Sequence, residues 1–138
     1  MSLAKHGLCL IVFGFLLALS SVKAWYYTDW QYRKEITITE QSGNTLTDYQ
    51  VAINLTYDSN MVSDFSDLRF TWYNESSGGE VEIPYWIEEK VDSSWAYVWV
   101  KVPEIPASSS TTVYVYYGNT TPVTSASNGY DVFDYFED

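Results

Sequence analysis

The chain has 138 residues, room for one modest domain, and 18 acidic residues against 7 basic ones give a formal net charge of −11. Aromatic residues make up 18% of it, too many for a disordered acidic tail, which lacks the side chains that gain most on burial. The charge also argues against nucleic acid as a partner, because phosphate recognition needs a footprint of Lys and Arg.

Met1 to Ala24 reads as a secretion signal peptide. Lys5 and His6 form a basic start, Leu8 to Leu19 is an almost unbroken apolar run, and Ser20 to Ala24 supplies small residues for cleavage after Ala24. The run is too short to cross a hydrocarbon layer of about 30 Å as an ordinary helix, so no stable membrane span is expected after cleavage. Cys9 lies inside the run, which argues against lipidation at the cleavage point. The expected location is extracellular or at the cell surface.

The mature chain, residues 25–138, loses Lys5 and Lys23 from the 7 basic residues and none of the 18 acids, so its net charge becomes −13. Neither Cys9 nor His6 remains. Disulfides, thiolate nucleophiles, His-assisted hydrolysis and zinc or haem sites built on Cys and His are thereby excluded. Such a domain must be held by its core, and its Trp and Tyr content suits that demand.

In chain order, Trp25 to Trp30 is a short aromatic lead-in. Arg33 to Glu40 alternates, with Ile36 and Ile38 on one face; Asp48 to Tyr57 alternates again, with Val51, Ile53 and Leu55 on one parity. The turn Gln41 to Asn44 between them predicts a hairpin or two neighbouring strands. Met61 to Asp67 is expected to form a loop or one helical turn, and Leu68 to Tyr73 a third strand. After the turn Asn74 to Gly79, Glu80 to Lys90 reads as a strand that Pro84 confines to an edge or a bulge. Trp95 to Val102 and Thr111 to Tyr117 follow, with Pro103 to Ser110 as connector. Gly118 to Gly129 is loop-like, and Tyr130 to Asp138 starts a further strand. The expectation is an all-β, antiparallel β-sandwich, with jelly-roll, lectin-like or barrel variants compatible with the same pattern.

The ordered segments WQYRKEITI (30–38), LTDYQVAI (46–53), FSDLRFT (65–71), IPYWIE (83–88), AYVWVKVP (96–103), TVYVYYGN (112–119) and VFDYFED (132–138) resemble the DUF2341 family, a domain of unknown function recurring in extracellular proteins of archaea and bacteria. The resemblance runs over residues 25–138. It implies a secreted β-rich module, often found beside other surface modules such as lectin-like domains, and it brings no catalytic residues. In relatives a run like VFDYFED often leads into a following lectin-like sandwich, so the chain is expected to be either a short stand-alone member or a truncated larger protein, its C-terminal strand cut short or leading into another domain.

The most informative feature is the parity split of Trp95 to Val102. Ala96, Val98, Val100 and Val102 form one face; Trp95, Tyr97, Trp99 and Lys101 form the other. Tyr114 and Tyr116 similarly oppose Val113 and Val115, and Trp86 opposes Ile83, Tyr85 and Ile87. If the aliphatic faces make the core, Trp86, Trp95, Tyr97, Trp99, Tyr114 and Tyr116 are candidates for a ligand or interface surface. Beside carboxylates such as Glu80, Glu82 and Glu88, flat rings suit the face of a sugar. Packing within the fold and a subunit interface are the competing readings.

Asp64 and Asp67 are weak calcium candidates, through hard oxygen ligands without EF-hand spacing; no other cofactor is expected. Three sequons place glycosylation candidates at Asn54, Asn74 and Asn119. The expected function is that of a non-enzymatic structural or adhesive module. Its partners are other copies of itself, in a filament or surface layer, or other surface proteins. A carbohydrate-binding module taking glycans is the alternative, and a carboxylate-based glycoside hydrolase a third reading.

Overall fold

The computed structural model describes residues 24–134, so residues 1–23 of the expected signal segment and residues 135–138 of the expected last strand lie outside the described residues. Seven strands run β1 Trp30–Thr39, β2 Leu46–Thr56, β3 Arg69–Asn74, β4 Gly79–Ile83, β5 Tyr85–Val91, β6 Trp95–Ile105 and β7 Ser110–Asn119, followed by a single helical turn, α1, Gly129–Val132. They form two antiparallel sheets, ordered β1-β7-β3-β4 and β2-β6-β5. The all-β sandwich expected from alternation is the fold.

Each strand alternates because one of its faces meets the other sheet. Val98 and Val100 of β6, Val113 and Val115 of β7, and Phe70 of β3 are fully buried between the layers. Phe65 and Leu68, from the loop before β3, are equally buried and close one end.

Four segments differ from expectation. β1 and β2 form no hairpin: β1 pairs with β7 and β2 with β6, on the edges of different sheets. Period-2 alternation reports burial of one face and carries no information about which neighbour a strand takes. Glu80 to Lys90 is also not one strand. Pro84, which has no N–H to give to a ladder, marks the crossing from β4 in one sheet to β5 in the other, and each half lies at an edge. β6 continues through Pro103 to Ile105, beyond the last residue of β6 that β5 reaches, so the missing N–H breaks no pairing there. Tyr130 to Val132, expected to start a strand, instead lie in α1, capped by the Asn128 side chain accepting from Tyr130 N–H.

Glu40 fastens the β1–β2 turn to the β6–β7 turn. Its carboxylate accepts hydrogen bonds from the backbone N–H of Ser42, of Gly43 (2.9 Å) and of Ser108 (2.8 Å), the last holding a left-handed residue at φ 52°. Bonds from Ser42 foremost, then from Ser108 and Gly43, favour the charged form and lower the Glu40 pKa from 4.5 to about 2.

Candidate functional site

Because Ala96, Val98, Val100 and Val102 are fully buried, the alternate residues of β6 emerge on the outer face of the three-stranded sheet. Register brings others beside them. Trp86 of β5 lies opposite Trp99; Ala52, Asn54 and Thr56 of β2 lie opposite Trp99, Tyr97 and Trp95. Trp86, Trp95, Tyr97 and Trp99 thus share one surface, as the parity split expected. Trp86, Tyr97 and Trp99 are half-buried, and Trp95 is 37% exposed.

A β-bulge supplies the charge. The register shifts between Ile87 and Glu89, which sets an extra residue against β6. Glu89 lies opposite Tyr97, and Glu88 accepts a 2.7 Å hydrogen bond from Trp99 Nε1. Tyr97 and Trp99 meet edge to face at 5.9 Å. Of the carboxylates expected beside the rings, Glu88 is there. Glu80 and Glu82 are not beside these four rings, because β4 belongs to the other sheet, where Glu80 accepts from Tyr116 Oη. Glu89, missed in the sequence reading, arrives through the bulge.

The segment after β7 covers one end of this row. Phe133 packs edge to face on Trp99 at 5.4 Å and on Trp86 at 6.0 Å. Gln50 Nε2 donates to the Val132 carbonyl at 3.1 Å, and Lys101 pairs with Asp134 at 3.1 Å. Ile87 N–H donates to Ser127 Oγ and Asn128 N–H to the Tyr85 carbonyl, so the same segment blunts the β5 edge. A shallow recess of about 260 Å³ remains between Trp86 and Ser127–Tyr130.

Tyr114 and Tyr116 are elsewhere, on the outer face of the four-stranded sheet, and both are buried. The aromatic lead-in covers them. Tyr26 N–H donates to the Tyr116 hydroxyl at 2.9 Å, and the rings of Trp25 and Tyr27 meet Tyr116 edge to face. Beneath the arm, Glu80 accepts from Tyr116 Oη and Thr71 Oγ1, both at 2.6 Å, and forms an ion pair with Arg33. The Arg33 guanidinium lies 4.2 Å from the Tyr114 ring centroid and 5.2 Å from that of Trp25. Burial works against its charge, but Tyr116 and Glu80 outweigh burial and its pKa is raised. Burial first, and then the bond to Glu80, raises the Tyr116 pKa. Their burial corrects the expectation of an exposed surface at Tyr114 and Tyr116. Strand parity identifies an outer face but not what an arm 90 residues away along the chain lays over it.

The remaining candidates are scattered. Asp67 is fully buried; its Oδ2 accepts from Gly118 N–H at 2.6 Å and its Oδ1 from Val62 N–H at 3.1 Å, so it holds loops together. Asp64 is exposed and accepts from Ser66 N–H. Among the described residues no group of three or more Asp, Glu, His or Cys side chains converges as a metal site. Asn74 and Asn119 sit at strand ends, their Oδ1 atoms accepting from Ser76 and Thr121 N–H. Asn54 is exposed near the C-terminal end of β2. Among the described residues no helix is long and apolar enough to cross a membrane.

An antiparallel two-sheet sandwich, with one outer face closed by its own N-terminal arm and the other left aromatic and partly open, is the class of protein described here. The family model for "Domain of unknown function (DUF2341)" matches residues 64–138, more than half of the chain, and the chain belongs to that family. The match begins just before β3 and leaves out β1 and β2, although each is hydrogen-bonded to a strand within it. No curated protein and no solved structure matches the chain.

Proposed function

We propose that the protein is an exported extracellular or cell-surface module that acts by contact rather than catalysis, through the outer face of the three-stranded sheet. One observation carries this reading: Trp86, Trp95, Tyr97 and Trp99 form a single half-open row beside Glu88 and Glu89. Indole and phenol rings give large contact area at low entropic cost and dominate protein interfaces. The partner favoured is another copy of the chain or another surface protein.

Sedimentation of the mature protein over a wide concentration range tests the self-association form. Expected is concentration-dependent assembly that Trp95→Ser weakens at least about tenfold, the effect of losing roughly 1.4 kcal/mol. A protein that stays monomeric throughout, with no fibres by microscopy, overturns it. The second reading is a glycan-binding module. It is supported by Ala52 opposite Trp99, a small side chain beside an indole, with a carboxylate next to it. Titration calorimetry with oligosaccharides from a glycan array decides it. Binding that survives Trp99→Ala unchanged places the sugar elsewhere.

A further inference from the structure

We infer that Asn54 is a glycan acceptor and that its first sugars pack on the protein's own aromatic row, over Tyr97 and Trp95. The inference rests on the exported reading above, since the modification belongs to a secretory route.

The sequon Asn54-Leu55-Thr56 falls on β2 so that Leu55 is buried while Asn54 and Thr56 face outward and are exposed. β2 is an edge strand with one neighbour, β6, so the Asn54 amide is open from above the sheet and from its side. The pairing Asn54–Tyr97 and Thr56–Trp95 is direct, and directly opposed residues share a face with Cβ atoms about 5 Å apart. A group on Asn54 Nδ2 therefore starts beside the Tyr97 ring. The segment bearing Phe133 lies on the Trp86–Trp99 end of the row. Trp95, at the other end, is 37% exposed. The apolar C–H face of a pyranose and the face of an aromatic ring are complementary, and burying both removes apolar surface from water.

The transfer balances without any redox partner. The donor is a lipid-pyrophosphate-linked oligosaccharide, and a secretory oligosaccharyltransferase is the catalyst. Asn54 Nδ2 forms a bond to the anomeric carbon while the bond from that carbon to the pyrophosphate oxygen breaks. The lipid pyrophosphate leaves with the electron pair, and the amide proton passes to a base of the transferase. A sugar at Asn54 also shields the β2 edge from strand addition and leaves the Trp86 end of the row, with the recess beside Ser127–Tyr130, as the part of this face open to a partner.

Mass spectrometry of the protein from its own cells comes first. The peptide containing Asn54 should carry added hexose or hexosamine mass. Unmodified Asn54 in exported protein overturns this inference alone, whereas absence of the protein from medium and cell surface fails the exported reading beneath it. Packing is tested by Thr56→Ala, which removes the sequon and keeps Asn54. Expected is a Tm lower than that of the glycosylated parent by about 3 °C, with the two chains melting alike when made without the transferase. The difference should vanish in a Tyr97→Ser background; an equal difference there overturns the packing. Magnetisation transfer between sugar C–H protons and the Tyr97 ring in the unmutated glycoprotein reads the same contact without any variant, and its absence also overturns it.

Discussion

Glu80→Gln tests the cluster beneath the N-terminal arm. The Glu80 side chain is 2% exposed and that of Arg33 14%, so the pair is largely out of water. Gln still offers an oxygen to Tyr116 and Thr71, but it removes the charge facing the guanidinium. Leaving one member of a buried pair alone costs about 3–5 kcal/mol. The Tyr114 and Trp25 rings already beside Arg33 cushion the orphaned cation, which brings the expected cost to about 2–4 kcal/mol. For a domain of this size that corresponds to a Tm lowered by about 8–16 °C, read by circular dichroism. Amide exchange at Tyr26, whose N–H is bonded to Tyr116 Oη, should accelerate with it. The double variant Arg33→Met with Glu80→Gln should recover part of the loss, because no unpaired charge is left and the Gln oxygen still serves Tyr116 and Thr71. A Glu80→Gln melt within about 2 °C of the parent would refute the reasoning.

Acid should act through Glu40. Its folded pKa lies below its unfolded one, so its contribution is fully present above about pH 4.5 and is lost as the pH falls through about 2. Thermal melts across that window should converge on those of Glu40→Gln as the pH drops; a gap independent of pH would exclude this role. Gly118→Ala should destabilise by about 2 kcal/mol in urea titrations. Its φ is 75° and a Cβ there would lie 2.4 Å from Tyr32 Cδ2, so the Tyr32–Tyr117 stack must give way. A neutral result would mean that the stack yields at no cost. Tyr27→Phe is expected to be neutral or stabilising by up to about 1 kcal/mol. Burial and the nearby Glu82 hold this phenol well above its ordinary pKa, yet its buried hydroxyl meets no acceptor in bonding geometry among the described residues. A clear loss of stability in the same urea titration would show that the hydroxyl is satisfied after all.

Strand positions were legible because alternation is a direct imprint of a buried face, and β6 is the clearest case: Ala96, Val98, Val100 and Val102 all enter the core. That Trp95, Tyr97 and Trp99 share one face followed from the same period. Partners were not legible, since nothing local distinguishes a β1 that pairs with β2 from one that pairs with β7. Pro84 signalled an edge correctly. That it is the crossing point between layers depends on Ile83 and Tyr85 both being buried on either side of it, a tertiary fact. The arrival of Glu89 beside Tyr97 needed the bulge, and the burial of Tyr116 needed the arm. Both are contacts between segments distant in sequence or registers altered by a single residue.

The pairing of Trp30 with Asn119 sets an order on folding. Of the described strands β1 is made first and β7 last, and among them β1 is hydrogen-bonded only to β7. The β3–β4 and β5–β6 hairpins can zip locally, but the four-stranded sheet stays incomplete until β7 emerges. Pairings so far apart in sequence close slowly. A nascent chain of this topology remains threadable through a narrow pore for most of its synthesis, and commits to its final shape only once β7 is free.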